Sequence, residues 1–315
     1  MKQYLILFFL LTFNNIEIDN INNNSNMKNV EIIVCNKSDK DLLGGIIPVS
    51  LIIKNKTNHH LSVILPYPNP GELSFDSKSP LLIKKSNEQK LDEITVSTEI
   101  SPGDKYEAIF FLNRYFSFKE KGKADISYKL YITMKLGNSI PVNEYYEGTF
   151  PILLMDASDE ELTRQFAYYS NNLNSNNRKI KMEAAEALSF IDNPLCIDYI
   201  TPMLSIENLE IIGINVLSRF NIEKVRKLIY GMLSYNDCEV VSTAIIALDS
   251  MKVHIPRIKF LDMLSSKDAG IRFIGLENLK LAPDINDKNY ITPLFHDLDP
   301  IVAKKAKEYY QLISK

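Results

Sequence analysis

Few residues in this 315-residue chain have the spacing that chemistry demands. His296, Asp297 and Asp299 could offer donors to a cation, but Asp299 also stands where a helix N-cap is needed, and the capping reading is preferred. His59 and His60 are adjacent between two strand-like segments. Neighbours on a strand point to opposite faces, so they make a poor metal pair. Cys35, Cys196 and Cys238 form no Cys-x-x-Cys pair, and the expectation for them is small, apolar packing. Asp159-Glu160-Glu161 suits the positive end of a helix dipole better than catalysis. The chain has no Gly-rich phosphate loop, no Gly-x-Ser-x-Gly elbow and no His-Glu-x-x-His. The expectation is a protein that is not an enzyme and holds no metal or cofactor.

The elements that would position such residues are plainest in the second half, which repeats itself. Met-Leu-Ser occurs at 203–205, 232–234 and 263–265, and Leu294-Phe295-His296 continues the series. In phase with it run Ile180, Leu209, Val240, Ile271 and Val302; a small series, Ala184, Gly213, Ala244, Gly275 and Ala306; and Leu188, Leu217, Leu248 and Leu279, closed by Tyr310. Each series steps by 29 and then 31 residues. A period near 30 marks a stacked supersecondary unit. Within one unit, Ile180, Ala184, Leu188 and Ile191 share a helical face, Asp192-Asn193-Pro194 breaks the helix, and Ile197, Ile200, Met203 and Leu204 make a second apolar stripe. Asn208, Asp237, Asp268 and Asp299 fall in the turns, where they can cap the following helices.

The run Asp192-Asn193-Pro194, Ile197, Ile200 and Leu204, followed by Leu209, Gly213 and Leu217, resembles HEAT repeats of the short type. The resemblance implies an α-α solenoid over 156–315, a capping helix and then about four and a half repeats. Pro202 and Pro293, in matching Tyr-Ile-Thr-Pro runs, are expected to kink their helices. Lys304, Lys305 and Lys307 fit a polar terminal cap. Ser158 and Glu161 form a capping box before a stripe of Leu162, Phe166 and Tyr169. In repeats of this type the second helices line the concave face. The candidate protein-binding residues there are Tyr199, Arg226, Tyr230, Arg257, Lys288 and Tyr290, since Tyr and Arg are favoured at interfaces.

Residues 30–155 read differently. In 124–136, Ile126, Tyr128, Leu130, Ile132 and Met134 alternate with Asp125, Ser127, Lys129, Tyr131 and Thr133, a strand with one buried face. Further strands are expected at 30–35, 48–54, 61–65, 81–85, 94–99, 106–112 and 145–154, between turn signals such as Ser101-Pro102-Gly103-Asp104. With Phe116-Ser117-Phe118 and Gly122, this region resembles an immunoglobulin-like or fibronectin-like domain, which implies an antiparallel β-sandwich. Ala124 stands where a tyrosine corner would place Tyr, and the chain has no Trp.

The N-terminal Lys2 and the apolar run after it match a signal peptide over residues 1–20, followed by an Asn-rich spacer at 21–29. The run is too short for a settled membrane span, so none is expected after processing. The net charge of −3 lacks the basic excess of a nucleic-acid binder. The functional expectation is an exported protein, secreted or in the cell envelope, that binds a protein or peptide through the solenoid face. Two alternatives stand beside it: a hydrolase with its site at the domain junction, and a cell-surface carbohydrate-binding module using Tyr67 or Tyr115.

Overall fold

The computed structural model describes residues 27–67, 73–85 and 94–314. The expected signal peptide and most of the spacer lie outside the described residues. The strands are β1 (Val30–Asn36), β2 (Asp41–Leu42), β3 (Pro48–Asn55), β4 (Leu61–Tyr67), β5 (Leu73–Asp76), β6 (Leu82–Lys84), β7 (Ile94–Ile100), β8 (Lys105–Phe111), β9 (Phe116–Phe118), β10 (Gly122–Leu136) and β11 (Val142–Met155). The helices are α1 (Asp159–Asn172), α2 (Arg178–Ser189), α3 (Ile197–Ile200), α4 (Glu210–Leu217), α5 (Glu223–Gly231), α6 (Cys238–Ser250), α7 (Arg257–Met263), α8 (Ala269–Lys280), α9 (Lys288–Ile291) and α10 (Pro300–Leu312). The chain is thus a β part followed by an α part.

One sheet has the order β1-β3-β8, and a larger one β2-β11-β10-β4-β7 with β5 also on β10. β6 and β9 form a ribbon of their own. The even positions of β10 are buried from Ala124 to Met134, as its alternation predicts. They share one core with Val30, Ile32 and Val34 of β1 and with Val49, Leu51 and Ile53 of β3. The pairing departs from the antiparallel expectation at one place: Asp41 and Leu42 run parallel to Leu154 and Met155. β2, β5 and β9, of two to four residues, are too short to leave a period-two signal.

The second half of β8 packs on both sides. Ala108 and Phe110 face the core of the sheets, whereas Ile109 and Phe111 belong to the core of the helices. α1 begins with the expected capping box: Glu161 N donates to Ser158 Oγ at 3.3 Å and Ser158 N to Glu161 Oε2 at 2.8 Å. Its Leu162 and Phe166 pack into the core that also takes Ile46 and Phe111.

Beyond α1 the helices come in pairs, and each first helix (α2, α4, α6, α8, α10) packs against the next. The small series is buried throughout, and Leu209, Val240, Ile271 and Val302 are buried with it. Ile180 is exposed, against expectation; it is preceded by the single helix α1 and not by a pair. Tyr310 is half-buried, and its neighbour Tyr309 takes the buried place in the last helix.

Asp237, Asp268 and Asp299 cap α6, α8 and α10 as expected, and Asn177 does the same for α2. Asn208 does not cap α4. It adopts a left-handed φ of 68°, and α4 starts without a side-chain cap. The short step of 29 explains this. The two missing residues fall in the turn after Ser205, where the capping residue sits in other copies. Pro202 and Pro293 do not kink a continuous helix. α3 and α9 give way to 3-10 turns, Thr201–Ser205 and Thr292–His296, with the proline in the first turn, where its missing N–H does little harm. The Thr before each proline turns its hydroxyl onto the carbonyl four residues back, Thr201 to Ile197 at 2.8 Å and Thr292 to Lys288 at 2.7 Å. No described helix is long and apolar enough to cross a membrane.

Candidate functional site

The six residues singled out on the second helices do not form one free face. Tyr199 is half-buried in α3, with its ring centroid 6.1 Å from that of Phe166. Arg226 Nε donates to Asn221 Oδ1 at 2.8 Å. The half-buried ring of Tyr230 lies under the ammonium of Lys259 at 5.9 Å. Lys288 holds its ammonium 5.1 Å from the ring centroid of Tyr310. Only Tyr290, at 51% exposure, stands well out among the six.

Arg257 makes its hydrogen bonds within the chain. Its Nε donates to Asp287 Oδ1 at 3.1 Å, its Nη2 bonds Asp287 Oδ2 and, at 2.8 Å, Tyr309 Oη, and its Nη1 reaches the Ala282 carbonyl at 2.5 Å. Asp287 is buried. Burial and the Asp287 carboxylate push the Tyr309 phenol up to about 12. Arg257 thus ties its own helical pair to the next one, and removing it would leave a buried carboxylate uncompensated.

His296 and its neighbours also resolve into structure. Both oxygens of Asp297 are taken by Arg272, at 2.7 and 2.6 Å, and Asp297 Oδ1 also accepts the N–H of Asp299. Arg272 beside it holds the Asp297 carboxyl below the usual carboxylate range. Among the described residues no group of three His, Cys, Asp or Glu side chains is placed to hold a metal ion.

The opposite layer, made by the first helices, is more open. Between α4, α6 and α8 lies a groove of about 500 Å³ lined by Ile211, Cys238, Glu239, Ser242, Thr243, Gly270, Phe273 and Ile274. Gly270 shapes it, since a Cβ there would meet Cys238 Cβ at 2.8 Å and Sγ at 2.9 Å. Ile246, farther along α6, is 67% exposed. α4 reads Glu-Ile-Ile-Gly-Ile-Asn-Val-Leu, apolar around its circumference. Neither α4 nor α6 contains a Lys or Arg; they carry Glu210, Glu239 and Asp249. Burial, then the nearby carboxylates of Asp268, Asp237 and Glu239, push the Cys238 thiol up, so it is a packing group and not a thiolate nucleophile. The signal for this groove was in the sequence: a helix with hardly a polar position has two faces to cover.

At the junction of the β and α parts, Gln165 clasps the backbone of Ile46, accepting its N–H at 2.7 Å and donating to its carbonyl at 2.8 Å. Lys85 pairs with Asp192 at 2.7 Å. Arg114 and Glu186 face each other at 3.6 Å with side-chain exposures of only 6% and 11%. Burial pushes the Glu186 carboxyl up to about 7, although Arg114 pulls the other way. None of the four histidines lies on β8, α1 or α2. Of the two tyrosines considered for carbohydrate, Tyr115 is buried, edge-on to Phe75 at 4.9 Å. The side chain of Tyr67 lies outside the described residues.

No protein-family model matches the chain, and no curated protein matches it in sequence. Among solved structures, Escherichia coli alpha-2-macroglobulin activated by porcine elastase is similar at 11% identity and a TM-score of 0.23, over 91% of this chain and 31% of that one. The ASH/PapD-like domain of human CEP192 is similar at 12% identity and a TM-score of 0.19, over 41% of this chain and 87% of that one. Spo0M, a sporulation control protein from Bacillus subtilis, gives 16% identity and a TM-score of 0.17, over 46% and 54%. These likenesses are too slight to define a fold or a role.

Proposed function

We propose that this chain is a non-catalytic binding protein, an immunoglobulin-like sandwich joined to a HEAT-like solenoid, and that it takes a polypeptide segment with apolar side chains flanked by Lys or Arg. The observation that carries the reading is the groove between α4, α6 and α8. Its walls set Ile211, Phe273 and Ile274 beside Glu239, Ser242 and Thr243; α4 and α6 supply carboxylates and no cation, and the Lys305 ammonium stands 5.7 Å from the Phe273 ring centroid at one wall. An amphipathic segment laid into such a groove buries its apolar side chains and sets its basic ones against Glu239. The reading moves the interface from the second helices to the first, because Tyr199, Arg257 and Lys288 are already engaged within the chain.

Fluorescence anisotropy with two labelled amphipathic peptides tests it, one built of Leu and Lys and one of Leu and Glu. The Leu/Lys peptide should bind, and rising salt should weaken it. Ser242→Arg, which places a cation in the groove, should reduce its affinity by about tenfold. Tyr290→Ala should leave it unchanged. Equal binding of the Leu/Glu peptide, or full binding by Ser242→Arg, would sink the reading. Loss with Tyr290→Ala alone would return the interface to the second helices.

A further inference from the structure

The odd positions of β10 and β11 point away from the core of the sheets, and they are not simply polar. Tyr131 and Tyr145 are direct partners across the two strands. Their rings lie 4.7 Å apart, tilted by 46°, and they are 53% and 38% exposed. The core does not need them, since the inward face of the same strands is supplied by Tyr128, Leu130, Ile132 and Tyr146. Two residues along each strand, beside this aromatic pair, a cavity of about 480 Å³ opens, lined by Asp76, Lys84, Ser127, Lys129, Glu147 and Thr149 among others. Glu147 joins the two features, because it accepts the hydroxyl of Tyr145 and also forms part of the cavity wall.

We propose that this outward face of β5, β10 and β11 binds a neutral oligosaccharide. A sugar ring has an apolar C–H face and a rim of hydroxyls. The C–H face packs on an exposed aromatic ring that has a polar tip beside it. The hydroxyls donate to Asp76 and Glu147 and accept from Lys84 and Lys129; Ser127 Oγ, which donates to the Asp76 carbonyl at 3.0 Å, can accept, and the Thr149 hydroxyl can do either. The cavity holds two carboxylates and two ammonium groups, with Lys84 and Asp76 3.3 Å apart. With no net charge it attracts neither a polyanion nor a polycation, and a neutral polyhydroxylated chain satisfies both signs at once. From the Tyr131–Tyr145 pair to Ser127 and Thr149 is four residues, about 14 Å along the strands, which suits an oligosaccharide better than a single ring. This inference does not rest on the helical groove.

Affinity electrophoresis of the full chain tests it, in gels cast with xylan, galactomannan or hydroxyethylcellulose and in a parallel gel with anionic alginate. At least one neutral polysaccharide should retard the protein. The double variant Tyr131→Ala/Tyr145→Ala should lose that retardation while keeping its circular dichroism, since both side chains are on the surface. Tyr131→Phe/Tyr145→Phe should keep most of it, because the stacking surface remains. Tyr290→Ala, an exposed tyrosine on α9 whose loss leaves the charge unchanged, should be retarded like the parent. Retardation by no neutral polysaccharide, retardation by alginate alone, or undiminished retardation of the alanine pair would each overturn the proposal.

Discussion

Asp41 shows how one buried group couples this fold to pH. It is 2% exposed where β2 meets β11, and Asn36 Nδ2 donates to its Oδ2 at 2.6 Å. Burial pushes its carboxyl up to about 6 from an ordinary value of 3.8. Because the folded state prefers the protonated form, ionisation costs stability. The cost is full above the folded value, fades as the pH falls toward the free value, and is gone below it. Glu186, pushed up to about 7, acts in the same direction over a higher window, with Arg114 opposing. Asp41→Asn removes the charge and keeps an acceptor for Asn36. It should raise stability by about 1–2 kcal/mol near pH 8, and less near pH 5, in urea unfolding at the two pH values. A variant less stable than the parent near pH 8 would mean that the fold uses the ionised form. Nothing in the sequence marked Asp41 or Glu186, since burial of a carboxylate depends on what packs over it.

At the scale of the helical pair, the small series decides how closely the layers approach. A Cβ on Gly213 would meet Met203 Cβ at 2.9 Å and Leu204 Cδ2 at 3.2 Å. At Gly275 it would meet the Phe260 carbonyl at 2.8 Å, Leu264 Cδ2 at 3.0 Å and Met263 Cβ at 3.1 Å. The same Met-Leu step thus seats against the same small position one helix later, which is why the two series keep phase. Gly213→Leu and Gly275→Leu should each destabilise the helices by about 1–3 kcal/mol in thermal or urea denaturation. Gly275 should suffer more, because a backbone carbonyl cannot rotate away as a side chain can. An unchanged midpoint in both variants would break the register. The turns were legible less evenly. Three aspartates cap as their spacing predicts, but Asn208 does not, because a two-residue deletion removes the capping position and leaves a residue that tolerates a left-handed φ.

For the molecule as a whole, the β and α parts do not stand apart. Ile46 and Phe111 contribute to a core that runs on through Phe166, Leu188 and Leu217, and the second half of β8 packs on both sides. An interface that joins a continuous apolar core to a buried ion pair is larger in effect than a linker contact. A chain cut to residues 156–315 should therefore unfold at lower urea concentration than the same helices in the full chain, and the full chain should lose β and helical signals together. Two separate transitions, with the cut chain matching the second, would show that the junction contributes little.

The sequence by itself determined what repeats locally: the alternation of 124–136, the capping box of Ser158 and Glu161, the period near 30 and the burial of the small series. Each of these is set by neighbours a few residues away or by a copy one period away, so spacing alone is enough to read it. The tertiary structure alone decided what depends on distant partners. It set β2 parallel to β11, packed the second half of β8 on both sides, drew Arg257 inward onto Asp287 and Tyr309, and left Tyr131 and Tyr145 side by side on an open sheet. A tyrosine or arginine on an amphipathic element has the same spacing whether it meets solvent or the next helix, and only the packing of that next helix settles which.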